Sequence, residues 1–406
     1  MVTAVTLAPE RAVQPQPITD LEPTVAEFFA GIGLVRMGLE RAGFRCVWAN
    51  DFDPNKKEMY QTHFEDLEDH YFPGDIANVN IAKMPQRISL AWASFPCIDV
   101  SLAGWRRGLN GEHTGTFWHF IRVMQDLKEQ HRLPAVVALE NVSGLATSHG
   151  GKDLVDAITA LNKLGYSVDV LALDARHFVP QSRPRLFLVG AITKPEETHE
   201  DDMVLRPARL QVVFDNPSLV THKAVLPRLP APLTAGLASV VEPLPEHDER
   251  WWDSKRTTAF LESLSPIQKK RLEQLMASNR LAYRTAYRRT RGGKPMWEMR
   301  ADEIAGCLRT ARGGSSKQAL VQVNGDQVNV RWMTEREYAK LMGAGKYKLD
   351  GLRRNQALFG FGDAVCVDVV EWLAKHYLRP LVDVAELKRA SSGAQMPSEH
   401  RVCSAG

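Results

Sequence analysis

The sequence predicts an α/β fold, a mostly parallel sheet covered by helices on both faces, with a smaller body inserted late in the chain. Three observations predict it. Between residues 24 and 190, short apolar runs alternate with segments of helical periodicity, the pattern of repeated βα units. The first apolar run ends in a glycine-bearing turn that opens a helix, a place where such sheets hold ligands. After residue 190 this rhythm stops and prolines multiply at Pro207, Pro217, Pro227, Pro230, Pro232, Pro243 and Pro245, which marks a change of architecture.

The elements follow in order. TVAEFFA (24–30) reads as a strand and LVRMGLERAG (34–43) as a helix. FRCVWAND (44–51) and NKKEMYQTHF (55–64) repeat the unit. So do ISLAWASF (88–95) with TFWHFIRVMQDLKEQ (116–130), and AVVALENV (135–142) with KDLVDAITALNKLG (152–165). YSVDVLALD (166–174) and RPRLFLVGAI (183–192) lie too close together for a crossover helix, so they predict an antiparallel pair at one edge. Residues 1–22 read as a flexible arm and 385–406 as a frayed tail, both rich in small and polar residues. The sheet domain is expected over 23–190, a second domain over 191–340, and a returning segment over 341–384. Within that segment, GFGDAVCVDVVEWLAKHYLRPLV (360–382) reads as one amphipathic helix with a glycine-rich start.

Composition excludes several classes. At 406 residues, with 44% hydrophobic and 24% charged residues, the chain can bury a sizeable core. No apolar run reaches the roughly 18 residues of a membrane span. The first residues lack the basic-then-apolar order of a secretory signal. Cys46, Cys97, Cys307, Cys366 and Cys403 are scattered without CxxC spacing, against a zinc site or disulfide framework. A reducing cytoplasm is the expected location. The net charge of +3 is small, so a nucleic-acid partner would need basic residues gathered on one face.

Two regions carry chemistry. In the first, Phe28-Phe29-Ala30-Gly31-Ile32-Gly33 lies between strand and helix, where glycines permit a tight turn and close approach of a ligand. Asp51 closes the second strand about twenty residues on, placed to accept from ribose hydroxyls, and Asp75 closes the expected third strand. The loop is not GxGxxG, which weighs against a nicotinamide dehydrogenase. An unliganded βα turn with a capping Asp is the bland alternative.

In the second region, Ser94-Phe95-Pro96-Cys97 follows one strand and Glu140-Asn141-Val142 ends the next. Cys97 and Glu140 thus stand at neighbouring carboxyl ends, where open α/β sheets gather ligands. Alone, Cys97 is as readily a small buried hydrophobe and Glu140 a surface carboxylate. Together they suit one reaction. Carbon 5 of cytosine takes a methyl group only after a thiolate adds to carbon 6, and a carboxyl group at ring nitrogen 3 supports that addition. Sulfur is both a good nucleophile and a tolerable leaving group, and Pro96 preorganises the turn.

With FFAGIG, SFPCIDVS, ENV, Gln181-Ser182-Arg183-Pro184-Arg185 and a late Phe361-Gly362-Asp363-Ala364-Val365 in this order, the chain resembles the DNA cytosine-5 methyltransferase family over about 24–190 and 331–380. The resemblance implies a Rossmann-like, S-adenosylmethionine-dependent methyltransferase sheet of class I with an inserted target-recognition domain. It implies Phe29, Gly31, Gly33, Asp51, Phe52, Asp75, Ile76, Pro96, Asp363 and Ala364 around the cofactor. Cys97 would be the nucleophile, Glu140 its partner and Arg185 the contact to the oxygen on carbon 2 of the base. Arg183 would support the site or hold a phosphate. Two residues depart from the family: Ile98 where Gln is usual, and Asp363 where Asn is usual. A carboxylate there would repel the carboxylate of the donor unless it points away, or a cation or hydrogen bond offsets it.

The glycine-rich segment 98–115, with Ser101, Trp105, Arg106 and Arg107, suits a lid that closes over a base flipped out of duplex DNA. Tyr283 to Lys294 interleaves aromatics with Arg284, Arg288, Arg289 and Arg291, and 309–317 adds Arg312 and Lys317. Both are candidates for phosphate and guanine contacts; ordinary solvated basic faces are the alternative. RWMTEREYAKLMG (331–343) is similar to the family's helix that organises the variable region, without the Phe-Pro that usually follows it. The expected function is methylation of cytosine in double-stranded DNA by a bacterial enzyme, solitary or paired with a restriction or phage-defence protein. A tRNA cytosine-5 methyltransferase and a catalytically silent DNA-binding protein are the alternatives.

Overall fold

The computed structural model describes residues 22–65, 70–95, 115–200, 202–309 and 317–393. Strands β1 (Thr24–Phe28), β2 (Arg45–Asp51), β3 (Tyr71–Pro73), β4 (Leu90–Ser94), β5 (Val136–Val142), β6 (Ser167–Asp174) and β7 (Pro184–Ala191) form one seven-stranded sheet. Its order is β3-β2-β1-β4-β5-β7-β6. All pairs up to β5 are parallel, and β7 runs antiparallel to both β5 and β6. The expected antiparallel edge pair is therefore present, with the later strand inside.

Helices α1 (Leu34–Glu40), α2 (Pro54–His63), α3 (Thr116–Glu129) and α4 (Lys152–Leu164) are the crossovers between parallel strands or the links beside them. Side chains alternate across a strand, and both faces here are apolar. Ala26 and Phe28 of β1, Ala91 and Ala93 of β4, and Val137 and Leu139 of β5 share a core with α3 and α4. Val25, Leu90, Trp92, Val136 and Ala138 turn the other way, onto α1 and the C-terminal helices.

The segment after β7 packs on this sheet. Helix α5 (Ala208–Phe214) gives Leu210 and Val213 to one core, and Leu205, Ala224, Leu237, Val240 and Val241 join the other. Asp169 of β6 takes both Nε and Nη2 of buried Arg206 at 2.9 and 2.5 Å. The smaller body is compactly built from α6 (Ser254–Glu262), α7 (Pro266–Ala277) and strands β8 (Ala282–Arg291), β9 (Lys294–Met299), β10 (Gln318–Asn324) and β11 (Gln327–Trp332). Its sheet order is β11-β10-β8-β9, and Phe260, Leu264, Leu272 and Ala286 contribute to its core. On this packing the second domain is better drawn from about 251 to 332 than from 191, because 202–241 shares the core of the first.

The chain returns through α8 (Glu335–Leu341), α9 (Arg354–Asp363), α10 (Val367–Leu373) and α11 (Arg379–Gly393). Two expectations need correction here. Residues 360–382 are not one helix with a glycine start. Gly360-Phe361-Gly362-Asp363 is the last turn of α9, and Ala364 is extended at ψ 166° before α10 begins. A Cβ on Gly360 would come within 2.7 Å of Met59 Sδ and 2.8 Å of Ile32 Cγ2, so glycine serves close packing of α9 on the loop after β1. Nor does the tail begin at 385. Helix α11 continues to Gly393, tied down by Glu386 to Arg87 and Ser89.

Candidate active site

The carboxyl ends of β1, β2, β4 and β5, the start of β7, the 307–309 segment and the end of α9 enclose a cavity of about 750 Å³. On the β1 side, Phe29, Ala30, Gly31 and Ile32 line it. Phe29 has φ 57°, Gly31 56° and Gly33 79°, so the turn holds a left-handed residue that is not glycine, a strained state at about 1–3 kcal/mol. Asp51 locks the turn: its Oδ2 accepts from the Gly31 N–H at 2.9 Å and its Oδ1 from the Asp53 N–H at 2.9 Å. A carboxylate has about four lone-pair sites, so acceptor capacity for ribose hydroxyls remains. Phe52 stands 73% exposed at the rim, a free aromatic face for a purine. The residues present therefore fit an adenosine-bearing cofactor.

Three residues that the resemblance implies around the cofactor are not among those that line this cavity. Gly33 is a packing glycine, since a Cβ there would lie 2.4 Å from Phe64 Cε2. Asp75 is exposed and accepts from the Ala77 N–H of its own turn at 2.8 Å. Ile76 is buried in the core beneath α3. None of the three lines the cavity. Asp363 and Ala364 do line it. Opposite Asp363 Oδ2, at 3.2 Å, is the Nζ of Lys56, a residue that no sequence motif marks. Of the two outcomes expected for this carboxylate, the offsetting cation is the one found.

On the β5 side, Arg185 Nε pairs with Glu140 Oε1 at 2.9 Å, both largely buried. The register makes them diagonal neighbours, with Val142 opposite Arg185 and Glu140 opposite Phe187, close enough for long side chains. Arg183 has a different place. It is 2% exposed and donates to the carbonyls of Leu308, Gly362 and Ala364 at 2.7, 3.0 and 2.5 Å. It is a strut between β7, the 307–309 segment and the α9–α10 break, and its burial leaves no room for the phosphate role. Gln181 works alongside it, donating to Leu341 O at 2.7 Å and accepting from Leu308 N–H at 3.1 Å.

Asn141 and Cys307 complete this end. Asn141 Nδ2 donates to Phe95 O at 2.9 Å and so fixes the chain just before the Pro-Cys turn. Cys307 Sγ lies 3.5 Å from Arg183 Nη1 and 3.9 Å from Arg185 Nη1. Burial raises its thiol pKa, but Arg183, Arg185 and Arg309 outweigh that and hold it below the ordinary value. Asn141 was legible inside the Glu-Asn-Val motif. Cys307 carried no spacing signal at all.

Pro96, Cys97, Ser101, Arg106, Arg107 and Arg312 lie outside the described residues. Of the other basic candidates, Arg288 and Arg289 are exposed on β8, and Arg291 closes that strand. Arg289 sits over the Tyr287 ring and 3.7 Å from Glu298. Arg284 is drawn inward, donating to Tyr283 O at 2.7 Å with Glu303 at 4.0 Å. Lys317 donates to Asn355 Oδ1 at 2.8 Å. Among the described residues there is no cluster fit to hold a metal and no helix long and apolar enough to cross a membrane.

A doubly covered α/β sheet with a cavity at its switch point, bounded by a glycine turn on one side and a buried carboxylate–guanidinium pair on the other, defines the class: a Rossmann-like methyltransferase fold. Solved structures of the same fold include the Dnmt2 methyltransferase of S. pombe, at TM-score 0.56 and 16% identity over 88% of this chain and 99% of that one. A putative DNA modification methyltransferase encoded within an E. coli prophage matches at TM-score 0.54 and 15% identity, over 89% of this chain and 99% of that one. The chain belongs to the C-5 cytosine-specific DNA methylase family, whose sequence model matches residues 24–379. Type II methyltransferase M.DsaV of Dactylococcopsis salina is 27% identical over 366 residues, 89% of this chain and 88% of the relative. M.Bsp6I of a Bacillus species is 33% identical over 170 residues, 41% of this chain. That match spans about half of the relative, 51%, as does the one to M.HhaI of Haemophilus parahaemolyticus, 47%.

Proposed function

We propose that this chain transfers a methyl group from S-adenosylmethionine to carbon 5 of cytosine in a specific duplex DNA sequence, as a bacterial modification enzyme of the kind its Type II relatives are named for. The observation that carries this reading is one cavity shared by the Glu140–Arg185 pair and by the glycine turn with Asp51 and Phe52. In strand order β2-β1-β4-β5, the ends of β2 and β5 are three strand spacings apart, about 14 Å. That is room for a nucleoside at one end and a base at the other.

When bound, S-adenosylmethionine supplies an electrophilic methyl group. Phe52 offers a face to its adenine and Asp51 acceptors to its ribose. At the other end, Arg185 donates to the oxygen on carbon 2 of the base, and Glu140 holds the proton at ring nitrogen 3. The guanidinium beside Glu140 orients its carboxyl while leaving Oε2 for the base. Cys97 follows Ser94 by three residues, and Ser94 is the β4 partner of Glu140; this connectivity supports the thiol as nucleophile. Its thiolate adds to carbon 6, which makes carbon 5 nucleophilic; after methylation and loss of the carbon 5 proton the same sulfur departs. The base must first leave the duplex.

Duplex DNA carrying 5-fluorocytosine tests the scheme, because fluorine at carbon 5 blocks the final elimination. A covalent protein–DNA adduct that needs the methyl donor is expected on a denaturing gel, and none with Cys97→Ser. Glu140→Gln should lower the methylation rate by at least about 100-fold, the usual scale of general acid–base help. An undiminished adduct with Cys97→Ser would remove the mechanism, and labelled-methyl transfer to tRNA in preference to DNA would change the substrate.

A further inference from the structure

Lys56 and Asp363 are brought together by helices that meet over the glycine turn. Their charged groups are 3.2 Å apart, and both line the cavity beside Gly31 and Asp51. The Lys56 stem passes over the turn, with its Cδ 3.9 Å from where a Gly31 Cβ would stand. Each charge has the wrong sign for its own helix. Lys56 is the third residue of α2 and Asp363 the last residue of α9. Helix starts favour anions and helix ends favour cations, so neither residue stabilises the helix that carries it. As a partly exposed ion pair they contribute little to the fold.

The same placement makes sense for a ligand. Lys56 adds its charge to the positive end of α2, whose cap Asp53 has turned its carboxylate to the Asn55 N–H. Asp363 adds its charge to the negative end of α9. The cavity thus presents a positive and a negative pole side by side, the complement of an α-amino acid, which carries carboxylate and ammonium on one carbon. We propose that Lys56 and Asp363 form a clamp for the amino-acid end of the methyl donor, Lys56 taking its α-carboxylate and Asp363 its α-ammonium.

An ammonium has three donors, so the contact to Asp363 does not exhaust Lys56. Burial disfavours its charge, but Asp51, Asp363 and Asp53 outweigh that and keep it protonated. The clamp also accounts for Asp at 363: the added negative charge faces an ammonium of the ligand and a lysine of the protein, while the donor's carboxylate is held by that lysine. This inference rests on the methyltransferase reading.

Calorimetric titration of the full chain with two ligands tests it. S-adenosylhomocysteine has the amino-acid end; 5′-deoxy-5′-methylthioadenosine shares the adenosine and thioether but lacks that end. Lys56→Met and Asp363→Ala should each weaken S-adenosylhomocysteine binding by about 10- to 100-fold, the scale of one charge-assisted contact. Methylthioadenosine should bind each variant within about twofold of wild type, which also shows that the variant is folded. Lys56→Arg should restore most of the lost affinity. Equal losses for both ligands, or no loss for S-adenosylhomocysteine, would overturn the clamp while leaving the methyltransferase reading standing. Failure of the wild-type chain to bind either ligand would overturn both.

Discussion

Glu27 lies on β1, two residues before the glycine turn, in a strand buried on both faces. Neither of its carboxyl oxygens has a hydrogen-bond partner among the described residues. Burial pushes its pKa up to about 8, against the pull of the nearby Arg36 guanidinium. The folded state then holds the proton more tightly than the unfolded chain, where the ordinary value is 4.5. Stability from the neutral carboxyl is fully present below about pH 4.5 and is lost as pH rises through about 8. Within that window the slope approaches about 1.4 kcal/mol per pH unit for this one group. Glu27→Gln should flatten the fall in urea midpoint between pH 5 and 8; a variant that tracks the wild-type slope would mean that the carboxylate is ionised in the fold. At this scale the sequence is least legible. Glu27 is one charged letter in an apolar strand, and Lys56 one of two adjacent lysines on a helix. Cys307 is a cysteine without a motif. What each does depends on partners distant in sequence, Arg36 for Glu27, Arg183 and Arg185 for Cys307 and Asp363 for Lys56, and no local pattern encodes them.

Elements were far more legible, because periodicity and turn residues act within a dozen positions. Every βα unit of the large sheet follows from alternating apolar runs and helical stripes, and the antiparallel edge follows from the short gap between 174 and 183. The exception is instructive. The glycines at 360 and 362 suggested the start of a helix, whereas Gly360 is needed where α9 presses on Met59 and Ile32, a reason that lies in tertiary contact. The glycine turn shows the same distinction between two neighbouring residues. Gly31 and Gly33 both have left-handed backbone, but a Cβ on Gly31 would meet nothing nearer than 3.9 Å. On Gly33 it would meet Phe64 at 2.4 Å and Tyr60 at 2.8 Å. Gly31→Ala should therefore cost about 1 kcal/mol from the backbone alone. Gly33→Ala adds overpacking and should cost about 2–4 kcal/mol in total. Urea denaturation of the two variants checks the ranking, and equal losses would show that Phe64 and Tyr60 yield without cost.

For the whole molecule, the proline-rich texture after 190 correctly signalled an end to βα repetition but not where a new core begins. Prolines mark irregular chain whether it wraps an old core or starts another, and residues 202–241 wrap the old one. The two bodies are joined through buried polar contacts, among them Arg331 of β11 with Glu337 of α8 at 2.5 and 2.9 Å. These contacts tie β11 to the helix that follows it. A net charge of only +3 means that attraction to duplex DNA must come from a local group of arginines, and β8 supplies candidates with unequal freedom. Arg288 is exposed, whereas the Arg284 guanidinium is engaged with Tyr283 O and near Glu303. Each phosphate neutralised by a cation releases counterions, which gives log K against log salt a slope of about −0.9 per contact. Arg288→Ala should therefore weaken binding to all duplex sequences alike and reduce the magnitude of that slope by about 1. Arg284→Ala should leave the slope unchanged. Fluorescence anisotropy with a labelled duplex over a potassium chloride series measures both. An unchanged slope for Arg288→Ala would place the DNA on another face of the smaller body, and a reduced slope for Arg284→Ala would mean that its inward pairing opens when the duplex binds.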